Sequence, residues 1–365
     1  MTMIFLFLQT LNNFNISKKD DENDLHGNEP IYVSFATISS KKEIHQNKFI
    51  YYGQKNENQI KFKYQDGGKE VLSMVWKDSD PGPGAAVSIE SFERFSYGHF
   101  SASFKSPDTS DQPNAGVISS FYLLFNDHKH RLDQDGDGIR DTSEIDFEFL
   151  GASPSEVHLT AHIDYEDNEN RESTTRIIDL KDGREIECFH IKVKNGEKTK
   201  TPLTNQPSVP KIPGYKNTDY HTFGIDYFKN KLTLWIDING VKTSLFELSK
   251  GYIPLYPMYI LGNIWWTDNW TPSGIINEDA IEKPKNEPSV NYEWIKWEPC
   301  TTEEDQLYNQ DQNINEISSP KKSSKVGLIV GIIVPIVVVV VIVVVVLIVF
   351  KRKHVSNEEN STISF

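Results

Sequence analysis

Residues 133–149 read DQDGDGIRDTSEIDFEF, and seven of these seventeen positions are Asp or Glu. Two patterns overlap in the stretch. Asp133 to Glu144 has the D-x-D-x-D-G-x5-E spacing of a twelve-residue calcium loop. Glu144 to Phe149, EIDFEF, sets three carboxylates two residues apart, and Glu144 belongs to both. A helix–loop–helix calcium site needs an outgoing helix that begins at its twelfth position. The outgoing segment is instead IDFEFLG, which alternates apolar and acidic residues up to Gly151. That is the period of a strand. Glu144 goes to the strand.

The remaining acids, Asp133, Asp135, Asp137 and Asp141, form an oxygen-rich loop with the composition to hold one structural calcium ion, because hard cations need oxygens more than they need helices. A solvated acidic turn is the other reading of the same residues. On the strand, side chains alternate, so Glu144, Asp146 and Glu148 share one face while Ile145, Phe147 and Phe149 share the other. The apolar face predicts a sandwich core. Three like charges on the opposite face repel and raise one another's pKa. Residues four apart on a strand have Cα atoms roughly 13 Å apart. Two Glu side chains leaning together span that gap to roughly the 5 Å used in double displacement at a sugar. Glu144 and Glu148 thus offer a nucleophile and a proton donor on one strand, with Asp146 between them as a coupling carboxylate. A solvated acidic edge is the bland alternative.

Working outward, NQIKFKY, EVLSMVW, YGHFSASFK, KLTLWIDI and YEWIKWE also alternate or carry β-branched and aromatic residues. Turn clusters such as DGGK, DSDPGPG, YFKNK and DING separate them. No long amphipathic helix interrupts them. The expectation is an all-β, concanavalin-like jelly-roll sandwich over residues 31–300, in one domain. Residues 191–217 read as a polar surface insertion, and 301–325 as a flexible stalk.

The chain has 365 residues and a net charge of −14 at pH 7. No basic stripe interrupts the segment before the stalk, so nucleic acid is excluded as a partner. Residues 326–350, VGLIVGIIVPIVVVVVIVVVVLIVF, carry no charge and exceed the roughly 20 residues needed for a transmembrane helix. Lys351, Arg352 and Lys353 come next, which favours a cytoplasmic tail over 351–365. A glycolipid-anchor signal would end on its apolar tail, and this sequence does not. Residues 1–24 contain the apolar run MIFLFLQTL (3–11) and read as a signal peptide or leader. The expected topology is a single-pass type I membrane protein with its large domain extracellular or lumenal; a tail-anchored protein is the rival. Cys188 and Cys300 are consistent with one disulfide in an exported domain. Asn15 and Asn269 stand in glycosylation acceptor patterns usable only there.

EIDFEFLG resembles the signature of family 16 glycoside hydrolases, the β-jelly-roll enzymes that include licheninases, laminarinases and xyloglucan endotransglucosylases. YGHFSASFK (97–105), VISSFYLLF (117–125), LTAHIDYEDNENRE (159–172), DYHTFGIDYFKNKLTLWIDING (219–240), PMYILGNIWWTDNW (257–270) and NYEWIKWE (291–298) are similar to the family's other strands, in the same order. The resemblance implies Glu144 as nucleophile, Glu148 as general acid/base and Asp146 between them, with no cofactor for catalysis and a polysaccharide of the β-glucan type as substrate. It implies that His162, Trp265 and Trp270 line the sugar site. Trp266 and His162 stand where many relatives carry polar residues such as Asn, which leaves the sugar preference open. Glu156, His158 and His162 share a strand face but lack the further ligand that would complete a metal set. A non-catalytic jelly-roll lectin is the alternative function.

Overall fold

The EIDFEF alternation extends in the structure to one strand of ten residues, Asp141–Leu150. The structure is a computed structural model and describes residues 26–27, 29–52, 59–77, 86–126, 133, 136–268 and 281–309. All of them belong to one compact unit, Met1–Gln310. Asp141–Leu150 lies near the middle of a nine-stranded sheet. Its order is Glu197–Pro202, Arg184–Lys194, Arg171–Asp179, Glu156–Tyr165, Asp141–Leu150, Val117–Asn126, Tyr259–Trp266, Val87–Ser91 and Phe49–Tyr52. A second sheet runs Val241–Ser249, Lys231–Ile238, His221–Tyr227, Gly98–Lys105, Ser289–Pro299, Lys69–Val75 and Ile60–Asp66, with Ile31–Ser34 also paired to Ser289–Pro299. Within both sheets every pairing is antiparallel. This is the expected all-β jelly-roll sandwich.

The apolar half of the alternation holds the two sheets together. Ile145, Phe147 and Phe149 are buried in the main core. Phe147 and Phe149 each meet Phe223 of the second sheet, with ring centroids 5.1 and 5.0 Å apart. Full burial of side chains of this size stabilises by about 1.5–3 kcal/mol each. Tyr292 reaches across from the second sheet and donates a 2.6 Å hydrogen bond to the Ser120 carbonyl. It passes over Gly262, where a Cβ would lie 2.7 Å from the Tyr292 hydroxyl. Turn chemistry also agrees with the sequence: Asn239 and Gly240 have φ of 55° and 81°, and Ile238 pairs with Val241. That is the two-residue hairpin a D-I-N-G stretch favours.

Three sequence expectations need revision. Residues 191–217 are not wholly a surface insertion, because Ile191 and Val193 are buried in the Arg184–Lys194 strand. Their hairpin partner, Glu197–Pro202, adds an exposed edge strand. The polar run hid a strand whose apolar positions are few. Residues 301–309, assigned to the stalk, pack on the jelly roll: Thr301 caps a short helix, and Asn230 N–H donates to the Tyr308 carbonyl. Cys188 and Cys300 are both free thiols here; Cys188 lies on the nine-stranded sheet and Cys300 just after Ser289–Pro299 in the other. No helix among the described residues is long and apolar enough to cross a membrane, and the expected span at 326–350 lies outside the described residues.

Candidate active site

Strand register decides which side chains meet the three carboxylates. On one side Glu144 stands opposite His162, Asp146 opposite Thr160 and Glu148 opposite His158. On the other side the partners are Leu124, Tyr122 and Ser120. One strand further, Tyr122 aligns with Leu261 and Ser120 with Asn263, and Leu261 aligns with Glu90. Paired residues share a face, so Glu90, Tyr122, Asn263, His158, Thr160 and His162 surround the carboxylates on the sheet's outer surface. Asn263 donates a 3.3 Å hydrogen bond to the Tyr122 hydroxyl.

This face is acidic and dry. Asp146 and Glu148 are 3% and 5% exposed. Burial pushes the Glu144 carboxyl up to about 7, opposed by a hydrogen bond from Asp146. Asp146 rises well above the carboxylate range, first through burial, then through the charges of Glu144 and Glu148 and the same hydrogen bond. A bond that lowers Glu144 and raises Asp146 is one in which Asp146 donates. Glu148 also rises well above its ordinary value, through burial and the Glu144 charge. Its Oε2 is buried without a hydrogen-bond partner. Such an atom can hold a proton and give it up to an incoming oxygen. Burial pushes both imidazoles down to about 3, with Arg171 adding to the effect at His162. His162 Nε2 lies 3.6 Å from Asp146 Oδ2.

Of the residues expected to touch sugar, His162 joins the carboxylates. Trp265 shares their face but is 3% exposed, packed with Ala86, Ile118 and Leu150. Its neighbour Trp266 points inward and meets Trp76 edge-on, with centroids 6.3 Å apart. Trp270 lies outside the described residues. Glu156, His158 and His162 do not gather: His158 Nε2 is 3.9 Å from Glu156 Oε2, whereas the donor atoms of His162 group with Glu144 and Asp146 within 4.8 Å. Sequence reasoning missed Tyr122, Asn263 and Glu90. The signal was present in strand parity, since Tyr122 and Asn263 sit an even number of residues from the outward Ser120 and Trp265, but only the register ties them to Glu148.

The expected calcium ligands part company. Asp133 is exposed and accepts a 3.0 Å hydrogen bond from Gly138 N–H. Asp137 pairs with Lys192 at 2.6 Å and receives Lys194 at its carbonyl. Lys192 also pairs with Glu172 at 2.5 Å, and Asp137, Glu172 and Asp164 gather within 4.8 Å. Asp141 is buried and accepts a 2.5 Å hydrogen bond from Tyr256. Asp135 lies outside the described residues. At Asp137 a lysine ammonium stands beside one of the carboxylates in the sequence pattern for an ion.

Residues 34–183 match the family model for glycosyl hydrolases family 16, so the chain carries an enzyme domain of the glycosidase class that includes the Asp141–Leu150 strand. No curated protein matches the sequence. Similar solved structures include a prokaryotic β-1,3-1,4-glucanase (lichenase) from a mouse hindgut metagenome, at 16% identity over 74% of this chain and 99% of that one, TM-score 0.44. The Bacillus licheniformis β-glucanase is 15% identical over 74% of this chain and 98% of that one, TM-score 0.41. Crh5 transglycosylase, solved with NAG, is 15% identical over 76% of this chain and 87% of that one, TM-score 0.43.

Proposed function

We propose that this protein is a retaining, endo-acting glycoside hydrolase or transglycosylase on β-glucan-type polysaccharides. The observation that carries the reading is the gathering of half-buried Glu144 with buried Asp146 and Glu148 on one strand face, with Asp146 hydrogen-bonded to Glu144. Glu148 holds its proton and gives it to the glycosidic oxygen as Glu144 attacks the anomeric carbon. The covalent glycosyl–Glu144 ester then yields to water or a sugar hydroxyl, whose proton returns to Glu148. Asp146 orients Glu144 through their shared proton, and His162 stands where the sugar would meet Asp146. Trp270 is assigned to the sugar site by resemblance alone, and Trp265 shapes the wall from within its packed cluster. The test incubates the full-length protein with lichenan, laminarin, xyloglucan and cello-oligosaccharides, beside Glu144→Gln and Glu148→Gln. Turnover lost in both variants supports the mechanism. Equal turnover in all three forms, or binding without turnover on every glucan, sinks it.

We further infer that residues 326–350 cross a membrane and that the glycosidase domain faces outside or a lumen. The support is an uncharged stretch of 25 residues followed by Lys351, Arg352 and Lys353. Protease added to intact cells should remove the domain and spare a tag placed after Phe365. A protected, unglycosylated domain would reverse the topology.

A further inference from the structure

We propose that Glu144, Asp146 and His162 form a three-ligand site for a transition-metal ion of the zinc class, and that its occupancy switches the carboxylates off. The proposal rests on the catalytic reading above, because what the ion blocks is the nucleophile.

Three observations carry it. The donor atoms of Glu144, Asp146 and His162 lie within 4.8 Å of one another. The Asp146–His162 separation of 3.6 Å is already close to the edge of a zinc tetrahedron, roughly 3.4 Å for metal–ligand distances of roughly 2.1 Å. That same separation is too long for a hydrogen bond. Asp146 Oδ2 is therefore a buried acceptor with no hydrogen-bond partner, on a residue 3% exposed, and it faces the imidazole that would be its fellow ligand.

The donor set selects the ion. One imidazole nitrogen and two carboxylate oxygens suit zinc and its neighbours, which take three protein ligands and leave a fourth position for solvent. Calcium and magnesium ask for six or more oxygens, and this face does not supply them. His162 Nδ1 is buried without a partner, so the outer hydrogen bond that usually strengthens a histidine ligand is missing. The ion is held reversibly. While it is bound, the Glu144 lone pair is committed to the metal and cannot attack a sugar. The other carboxylate group, Asp137, Asp164 and Glu172, differs in kind: Lys192 already bridges two of its members, and it carries no metal proposal.

Full-length protein, stripped of metal and lacking a polyhistidine tag, is titrated with zinc chloride by calorimetry in the absence of sugar. Glucan turnover is followed over the same zinc range. We expect one zinc per chain, an inhibition midpoint that matches the calorimetric Kd, and at least tenfold weaker zinc binding in both His162→Asn and Asp146→Asn. The two variants remove different ligands, so if one fails to fold the other still decides. Binding as tight in the variants as in the wild type overturns the proposal, and so does a wild type that binds no zinc up to millimolar concentration. The two readings fail separately. Zinc binding that depends on His162 in a protein without turnover sinks the catalytic reading alone. Turnover that needs Glu144, in a protein whose zinc response ignores both substitutions, sinks the metal site alone.

Discussion

His99 Nδ1 stands 2.9 Å from Asp226 Oδ1, while its Nε2 lies 3.2 Å from Glu304 Oε2. A neutral imidazole has one N–H, so only the imidazolium can donate to both carboxylates. The Asp226 hydrogen bond accordingly raises the His99 pKa, against burial and with help from Glu304. Burial alone would raise Asp226, but His99 and Lys242 hold it below the usual carboxylate range. Trp235 Nε1 donates to the same Asp226 oxygen. Glu304 belongs to the segment after Cys300, which also docks through Phe228 and Tyr308, ring centroids 5.0 Å apart.

Docking of that segment is therefore expected to depend on pH. A group whose folded pKa is raised contributes fully below its unfolded value, near 6.5, and loses the contribution as pH climbs through the folded value. Protection factors for amide exchange over residues 301–309, corrected for the intrinsic rate at each pH, should fall across that window by an amount worth about 1 kcal/mol for a partly exposed pair. His99→Gln should show the low protection at every pH. Protection that is flat with pH in the wild type would refute the coupling.

Asp146→Asn should lower kcat with little change in KM. Its hydrogen bond fixes Glu144, whose charge in turn raises Glu148, so its loss disturbs the reacting groups rather than sugar binding. A drop of about 10²-fold is expected from the usual scale of acid–base contributions. A pure KM effect would make Asp146 a substrate contact instead.

Gly262→Ala should destabilise the domain by about 1–3 kcal/mol, because the added methyl meets the Tyr292 hydroxyl in a packed core. Tyr292→Phe should cost a similar amount, since it leaves the Ser120 carbonyl short of a donor. Denaturant midpoints measure both. The double variant Gly262→Ala/Tyr292→Phe should cost less than the sum, because the second change removes the atom the first one strikes.

The strand of Glu144 was legible because both its faces are written in six consecutive letters, EIDFEF. Period-two patterns need no distant information, so the sandwich and the three carboxylates could be read directly. Tyr122 and Asn263 were not legible, since only register across separate strands brings them to Glu148. The pair Trp265–Trp266 shows the same limit. Adjacent tryptophans must face opposite ways, but two identical letters do not say which one enters the core. Lys192 is the sharpest case: it reaches Asp137 across 55 residues, and no local pattern could have pointed to it.

That lysine gives a definite expectation for calcium. Asp137 is paired with Lys192, and its carboxyl is held below the usual range by Lys192, Ile139 N–H and Lys194 acting against burial. Asp141 is committed to Tyr256 in the interior. An ion at the loop would have to break both contacts and would then face the Lys192 ammonium. The melting midpoint is expected to be the same in calcium and in chelator, whereas Lys192→Met should lower stability by about 1–3 kcal/mol through the uncompensated Asp137 and Glu172 charges. Differential scanning measurements on wild type and Lys192→Met, each with calcium and with chelator, separate the cases. A wild-type midpoint that climbs several degrees with calcium would return Asp133, Asp135, Asp137 and Asp141 to the ion, by the mass-action stabilisation a bound ligand brings. Calcium that rescues only Lys192→Met would instead show the loop to be a cation site whose cation is Lys192.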